Sequence, residues 1–134
     1  MNHILIVDSD AAVGTAIKLW LEVEGAEVVH IEHGADGIEA IRNGRFDLVI
    51  IELSMPGFNG LETIELMRRI RPSLPIIVLS NTLQSAERTT SEAMALGVAS
   101  VLAKPFRPRD LMQAIEAALG RSLNHAKPLR PDAT

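Results

Sequence analysis

The sequence predicts an α/β protein with a doubly wound parallel sheet, and two observations support this class. Short apolar runs alternate with segments of helical periodicity about five times along the chain. Three of these runs, Ile4–Val7, Leu48–Ile51 and Ile76–Leu79, contain no polar residue, which is typical of central parallel strands covered on both faces. Five consecutive βα units therefore favour one sheet with helices on both sides.

The strands are predicted where the apolar runs lie between turn residues. In chain order these segments are Ile4–Val7, Val28–Ile31, Leu48–Ile51, Ile76–Leu79 and a weaker run, Ala99–Leu102.

The helices are predicted from capping residues and from apolar residues spaced three or four apart. Asp10 is placed to cap the first helix and Gly25 to end it. Pro108 suits the first turn of the last helix, which Gly120 ends. The other three helices are expected at Gly34–Asn43, from Asn59 or Gly60 to Ile70, and at Ser85–Leu96.

Composition and charge exclude several classes of protein. The 134 residues are 47% hydrophobic, which indicates one packed domain rather than a disordered chain. A net charge of −4 argues against nucleic-acid binding through a basic face. The absence of cysteine excludes disulfides and thiolate metal sites. The apolar runs are far shorter than the ~20 residues that cross a bilayer, and the first strand begins too early for a signal peptide. A cytoplasmic protein with no membrane association is expected.

The helical periodicity ends near residue 120. Residues 1–120 are therefore expected to form the folded domain. Residues 121–134 are expected to form a flexible tail or the start of a linker.

Polar side chains follow three of the central strands at the point where each strand ends. They are Asp8 and Ser9 after the first, Glu52 after the third and Ser80 after the fourth. In doubly wound sheets the ligand site lies at the carboxyl ends of the strands. These four residues are therefore expected around one crevice.

Four short segments, in this order and spacing, resemble the receiver domain of response regulators in two-component signalling. The first is V-D-S-D at 7–10, and the second is I-I-E-L-S-M-P-G-F-N-G at 50–60. The third is V-L-S-N at 78–81, and the fourth is A-K-P-F at 103–106. The resemblance covers roughly residues 3–119. It implies a flavodoxin-like fold with strand order 2-1-3-4-5 and a signalling module rather than an enzyme.

The resemblance also implies a role for each matched polar residue. In the family, two acids after the first strand and an acceptor aspartate after the third hold Mg²⁺, an ion that prefers oxygen ligands. Here Asp8 matches the first acid. Ser80 matches the hydroxyl that contacts the phosphoryl group, and Lys104 matches the lysine that neutralises it. The Lys104–Pro105 peptide bond is expected to be cis.

Three positions depart from the family pattern. Ser9 replaces the second acid, so Mg²⁺ binding by Asp8 and Glu52 is expected to be weak or lost. Glu52 replaces the acceptor aspartate, and its longer side chain is expected to pair with Lys104 rather than accept a phosphoryl group efficiently. Val101 replaces the aromatic ring that reports the phosphorylated state, which leaves the helix at Ser85–Leu96 as a candidate switch.

Two alternative functions stay open on the sequence. In one, the chain is an active receiver phosphorylated on Glu52. In the other, Asp8 and Asp10 form the D-x-D motif of a haloacid-dehalogenase-like phosphatase, although that family's later acidic pair is missing after Lys104.

The partners implied by the resemblance are a sensor histidine kinase, a phosphotransfer protein or a downstream effector. A homodimer through residues 85–119 is a further possibility. A third reading takes the chain as a domain cut from a longer protein, in which the tail leads to an output domain.

Overall fold

The structure is a computed structural model that describes residues 2–55, 59–80 and 86–123, with the backbone alone at 86–89. Its strands are β1 (His3–Val7), β2 (Glu27–Ile31), β3 (Leu48–Glu52), β4 (Ile76–Ser80) and β5 (Ser100–Ala103). Its helices are α1 (Ala11–Val23), α2 (Gly34–Asn43), α3 (Gly60–Ile70), α4 (Ala86–Ala95) and α5 (Pro108–Leu119).

The five strands form one parallel sheet in the order β2-β1-β3-β4-β5. This confirms the predicted flavodoxin-like order, and the three uninterrupted apolar runs are its three central strands. The alternation of side chains along each strand divides the core into two layers. Ile4 and Ile6 of β1 pack with α1 and α5 on one face, whereas Leu5 and Val7 pack with α2, α3 and α4 on the other.

The predicted elements differ from the observed ones by a few residues at their ends. Strands β3 and β4 continue into Glu52 and Ser80, so both polar residues belong to the sheet. The Asp10 side chain caps α1, as predicted, by accepting hydrogen bonds from the backbone N–H groups of Ala12 and Val13 at 3.0 and 3.2 Å. The predicted turn residues 56–58, together with Asn81 and Ser85, lie outside the described residues.

The chain continues to pack beyond the end of α5. Leu123 is 2% exposed and belongs to the core layer under α1 and α5. Its carbonyl accepts a hydrogen bond from Asn2 Nδ2 at 2.7 Å, and its N–H donates to Glu116 Oε2 at 3.0 Å. Residues 121–123, assigned to the tail from the sequence, therefore pack against the domain. The rest of that segment, 124–134, lies outside the described residues.

None of the helices within the described ranges combines the length and hydrophobicity that a bilayer-spanning segment requires.

Candidate functional site

The sheet topology brings four of the predicted site residues to its carboxyl edge. Asp8 follows β1, Glu52 and Ser80 end β3 and β4, and Lys104 follows β5. Backbone hydrogen bonds hold these ends in line, because Leu53 N–H donates to the Leu79 carbonyl at 3.0 Å and Lys104 N–H donates to the Ser80 carbonyl at 2.7 Å. The Lys104–Pro105 peptide bond is cis, as the resemblance implied.

The Lys104 ammonium lies between two carboxylates. Lys104 Nζ donates a hydrogen bond to Asp8 Oδ2 at 2.9 Å. It also lies 2.5 Å from Glu52 Oε1, in an ion pair that lacks the alignment of a hydrogen bond. The predicted pairing of Glu52 with Lys104 is therefore present, and Asp8 shares the same cation.

The second oxygen of each carboxylate faces a backbone donor. Asp8 Oδ1 accepts from the Asp10 N–H at 2.9 Å, and Glu52 Oε2 accepts from the Ser54 N–H at 3.0 Å. Both contacts join residues two apart and resemble the turns in which short acidic side chains bond the backbone ahead of them. Each of the four carboxylate oxygens thus faces an N–H donor within 3.0 Å.

The cluster is buried, which strengthens the interactions within it. Asp8 and Glu52 are 0% and 2% exposed, and the Lys104 side chain is 17% exposed. Burial disfavours the ammonium and by itself lowers the pKa of Lys104. The close contacts with Glu52 and Asp8 and their negative charges outweigh that effect, so the pKa of Lys104 lies above the ordinary lysine value.

The three remaining predicted site residues, Ser80, Ser9 and Val101, take no part in the ion pairs of Lys104. Ser80 is 2% exposed, and its Oγ has no hydrogen-bond partner among the described residues. Ser9 is exposed to solvent. Val101 is partly buried against the core layer under α2, α3 and α4.

The residues present do not fit the Mg²⁺ ion that the receiver resemblance implies. Within the described ranges, no three histidine or acidic side chains gather in a way that could hold a metal ion. The ammonium of Lys104 already bridges Asp8 and Glu52. Mg²⁺ needs several oxygen ligands in octahedral geometry, and here it would have to displace that ammonium to reach either carboxylate.

One residue near the site was not identified from the sequence. His30 Nε2 lies 3.0 Å from the Asp8 carbonyl, to which its N–H can donate. Gly14 on α1 makes room for this ring, because a side-chain carbon at that position would overlap it. A glycine inside an otherwise regular helix was the one available signal, and it does not reveal which ring fills the space.

Comparisons with known proteins agree with this geometry. The sequence model of the response regulator receiver domain matches residues 4–116. A transcriptional regulatory protein of Bacillus subtilis, YkoG, is 31% identical over 118 residues, which are 88% of this chain and 51% of that protein. The response regulator SaeR of Staphylococcus aureus is 31% identical over 121 residues, which are 90% of this chain and 52% of SaeR. The chain thus spans about half the length of these curated relatives.

Solved structures show the same fold. A CheY-like receiver domain protein from Methanospirillum hungatei superposes with a TM-score of 0.81 at 30% identity, covering 90% of this chain and 94% of that one. A receiver domain protein from Clostridium thermocellum gives a TM-score of 0.82 at 27% identity, with coverage of 90% and 95%.

These matches leave the phosphatase alternative without support, and Asp10 in any case caps α1. A parallel sheet in the order 2-1-3-4-5, a lysine and two acids at its carboxyl edge, and a family match over residues 4–116 lead to one conclusion. This chain belongs to the response regulator receiver domain family and is a receiver module of two-component signalling.

Proposed function

We propose that this receiver acts through protein–protein contacts and is not phosphorylated efficiently on Glu52. The observation that carries the proposal is the Lys104 ammonium held between Asp8 and Glu52. In this arrangement the residue at the acceptor position already has a buried cationic partner. Its two oxygens face Lys104 Nζ and the Ser54 N–H and are therefore not free to attack phosphorus.

The length of the Glu52 side chain supports the same proposal. Glutamate is longer than aspartate by one methylene, roughly 1.5 Å. Phosphoryl transfer depends on positioning, and a misplacement near 1 Å can lower a rate about a hundredfold. A phosphoryl group on Glu52 would lie displaced from the point where Ser80 and Lys104 converge.

The charge of the cluster also opposes phosphorylation. Asp8, Glu52 and Lys104 carry two negative charges and one positive charge within a buried site. An acyl phosphate on Glu52 would replace the carboxylate charge of −1 with about −1.5 to −2, so the site would become more negative by about 0.5 to 1 charge at neutral pH. With Ser9 in place of an acid, we propose that Mg²⁺ binds weakly or not at all, so this added charge stays uncompensated.

The proposed partners are proteins: a sensor histidine kinase, a phosphotransfer protein, a downstream effector or a second copy of this chain. We propose that they dock on the surface of α4, β5 and α5, within residues 85–119. Two features of that surface favour docking, since Met94 is 49% exposed and Ala103 at the end of β5 is exposed. Ser85 and the side chains of 86–89 lie outside the described residues. The net charge of −4 disfavours nucleic acid as a direct ligand.

The test is the intact mass of the protein after incubation with acetyl phosphate and Mg²⁺. We expect no added phosphoryl group on the native chain. The double variant Ser9→Asp/Glu52→Asp restores the family residues and is expected to gain one group under the same conditions. It serves as the matched positive control, since it differs only at the two departures.

Either of two results would contradict the proposal. A single phosphoryl group mapped to Glu52 of the native chain would establish an ordinary phosphorelay role. An inert double variant that folds normally would mean that these residues do not form the receiver pocket as assigned.

A further inference from the structure

Arg68 on α3 makes a cluster of contacts that has no part in the pocket. Its Nη1 donates to the carbonyls of Leu74 and Pro72 at 2.6 and 3.0 Å. Its Nη2 donates to the Gly97 carbonyl at 2.9 Å, and its Nε donates to the Leu96 carbonyl at 3.3 Å. One guanidinium therefore joins α3 to the segment before β4 and to the segment between α4 and β5.

A cationic hydrogen-bond donor is favourable at the C-terminal end of α4. The last carbonyls of a helix find no N–H donor within it and carry partial negative charge, which nearby cations stabilise. The last turn of α4 contains no basic residue of its own. The chain then turns at Gly97, whose φ of +83° is left-handed. Arg68 supplies from the neighbouring helix both the donors and the positive charge at this end.

The other described contacts of α4 with the core are few. Of the α4 side chains described, at positions 90–95, Ala93 is the fully buried one, and Met94 and Ala95 are exposed. Beyond the helix, Val98 is buried in the same core layer. Within the described part of the chain, the buried contacts next to the C-terminal end of α4 are therefore those of Ala93 and Val98, to which Arg68 adds its hydrogen bonds to Leu96 and Gly97.

From this geometry we infer that Arg68 is the anchor of α4: it holds the C-terminal end of that helix, at Leu96 and Gly97, against α3 and the segment before β4. By the topology of the sheet, the N-terminal end of α4 lies toward the carboxyl edge and the C-terminal end lies toward the amino edge. Arg68 therefore holds α4 at the edge of the sheet opposite to the Lys104 cluster.

The test is native-state hydrogen exchange measured by mass spectrometry on Arg68→Met and on Arg69→Met. Arg69 is the matched control, because it is the next residue of α3, its side chain is 72% exposed, and its guanidinium lies 3.8 Å from Glu65. We expect exchange at the amides of Leu96, Gly97 and Ala99 to accelerate at least about tenfold in Arg68→Met, since hydrogen bonds to a charged group are lost. Arg69→Met is expected to match the native chain.

The comparison with β1 and β3 separates an anchor from a merely stabilising residue. An anchor predicts faster exchange confined to α4, the turn after it and the segment before β4 that Arg68 also contacts, with the amides of β1 and β3 unchanged. Equal acceleration throughout the chain, or no acceleration at Leu96 and Gly97, would overturn the inference. Arg68→Lys retains the charge but not the planar group of donors, so its exchange rates are expected to lie between those of the native chain and Arg68→Met. This variant also keeps the test usable if Arg68→Met folds poorly. Hydrogen exchange does not depend on phosphorylation. A negative result would therefore overturn the role of Arg68 without bearing on the proposed function.

Discussion

Two cationic side chains are held at opposite edges of the sheet, and they differ in the kind of partner that holds them. Lys104 at the carboxyl edge contacts two carboxylates, whereas Arg68 at the amino edge contacts four neutral backbone carbonyls. The first set of partners carries full charge and responds to protonation or substitution. The second set is part of the backbone and keeps its dipoles at any pH. The same sheet therefore has one charge-dependent edge and one that depends on backbone geometry.

The largest expected effect comes from removing the cation at the carboxyl edge. Lys104→Met leaves two buried carboxylates facing one another, and loss of one partner from a buried ion pair costs about 3–5 kcal/mol. The free energy of unfolding at pH 7, measured with urea, is expected to fall by that amount. A fall below about 1 kcal/mol, typical of an exposed pair, would contradict the enclosed cluster.

Lys18→Met is the matched control for that experiment. Lys18 also contacts a carboxylate, Glu22 Oε2 at 2.7 Å, but both side chains are more than a third exposed. Such a helical i, i+4 pair contributes about 0.3–0.5 kcal/mol. The two lysine variants together separate burial from the mere presence of an ion pair.

The amino edge is expected to give a smaller loss. In Arg68→Met the carbonyls of Leu96 and Gly97 lose their donor, but their position near solvent allows water to replace part of the interaction. We expect a loss of about 1.5–3 kcal/mol, the range for hydrogen bonds to charged groups. The loss is expected to be the same at pH 5 and pH 8, because none of the four acceptors titrates. A loss of unfolding free energy that changes between pH 5 and pH 8 would contradict the assignment of four backbone carbonyls as the partners of Arg68.

Raising the pH removes the positive charge of Lys104 gradually, whereas the Lys104→Met variant removes it at once. The pKa of Lys104 is raised in the folded chain, so the contribution of its charge is fully present below the unfolded lysine pKa of about 10.4 and is lost as pH rises through the folded value. The chain has no cysteine or tyrosine to titrate in the same window. The free energy of unfolding is expected to fall above about pH 10.4.

Lys104→Arg is the control, since arginine keeps its charge there. Its unfolding free energy is expected to change less over the same window. If the native chain and Lys104→Arg lose stability in parallel, another group carries the alkaline effect.

The two edges also differ in how far the sequence predicted them. The apolar runs and the polar residues that follow them were sufficient to predict a doubly wound sheet and a crevice that includes Asp8, Glu52 and Ser80. The strand order, the place of Lys104 and its pairing with Glu52 came from the resemblance to receiver domains. The crevice follows from local patterns, because the carboxyl ends of parallel strands meet at a common edge. The sharing of Lys104 by Asp8 was not predicted, since it depends on the exact height of each side chain above the sheet.

The hydrogen bonds of Arg68 to backbone carbonyls and the burial of Leu123 could not be predicted, because both depend on contacts between distant parts of the chain. Arg68 reaches carbonyls up to 29 positions away, and a backbone carbonyl carries no sequence signal. Leu123 follows a glycine that ends α5, and its return to the core depends on Asn2 at the other end of the chain. Contacts of this kind arise from tertiary packing, which periodicity does not encode.

The smallest expected effect concerns one buried hydroxyl at each edge of the sheet. Ser80 Oγ at the end of β4 and Ser100 Oγ at the start of β5 have no hydrogen-bond partner among the described residues. Removing an unsatisfied buried hydroxyl relieves its desolvation, so Ser80→Ala and Ser100→Ala are each expected to leave stability unchanged or raise it by up to about 1 kcal/mol.

Thr63→Val provides the contrast, because the buried Thr63 hydroxyl donates to the Asn59 carbonyl at 3.1 Å, and its loss is expected to lower stability by about 1 kcal/mol. If urea unfolding shows that Ser80→Ala instead behaves like Thr63→Val, then the Ser80 hydroxyl is bonded within the folded pocket. The charge-dependent edge would then include Ser80 together with Lys104 and its two carboxylates.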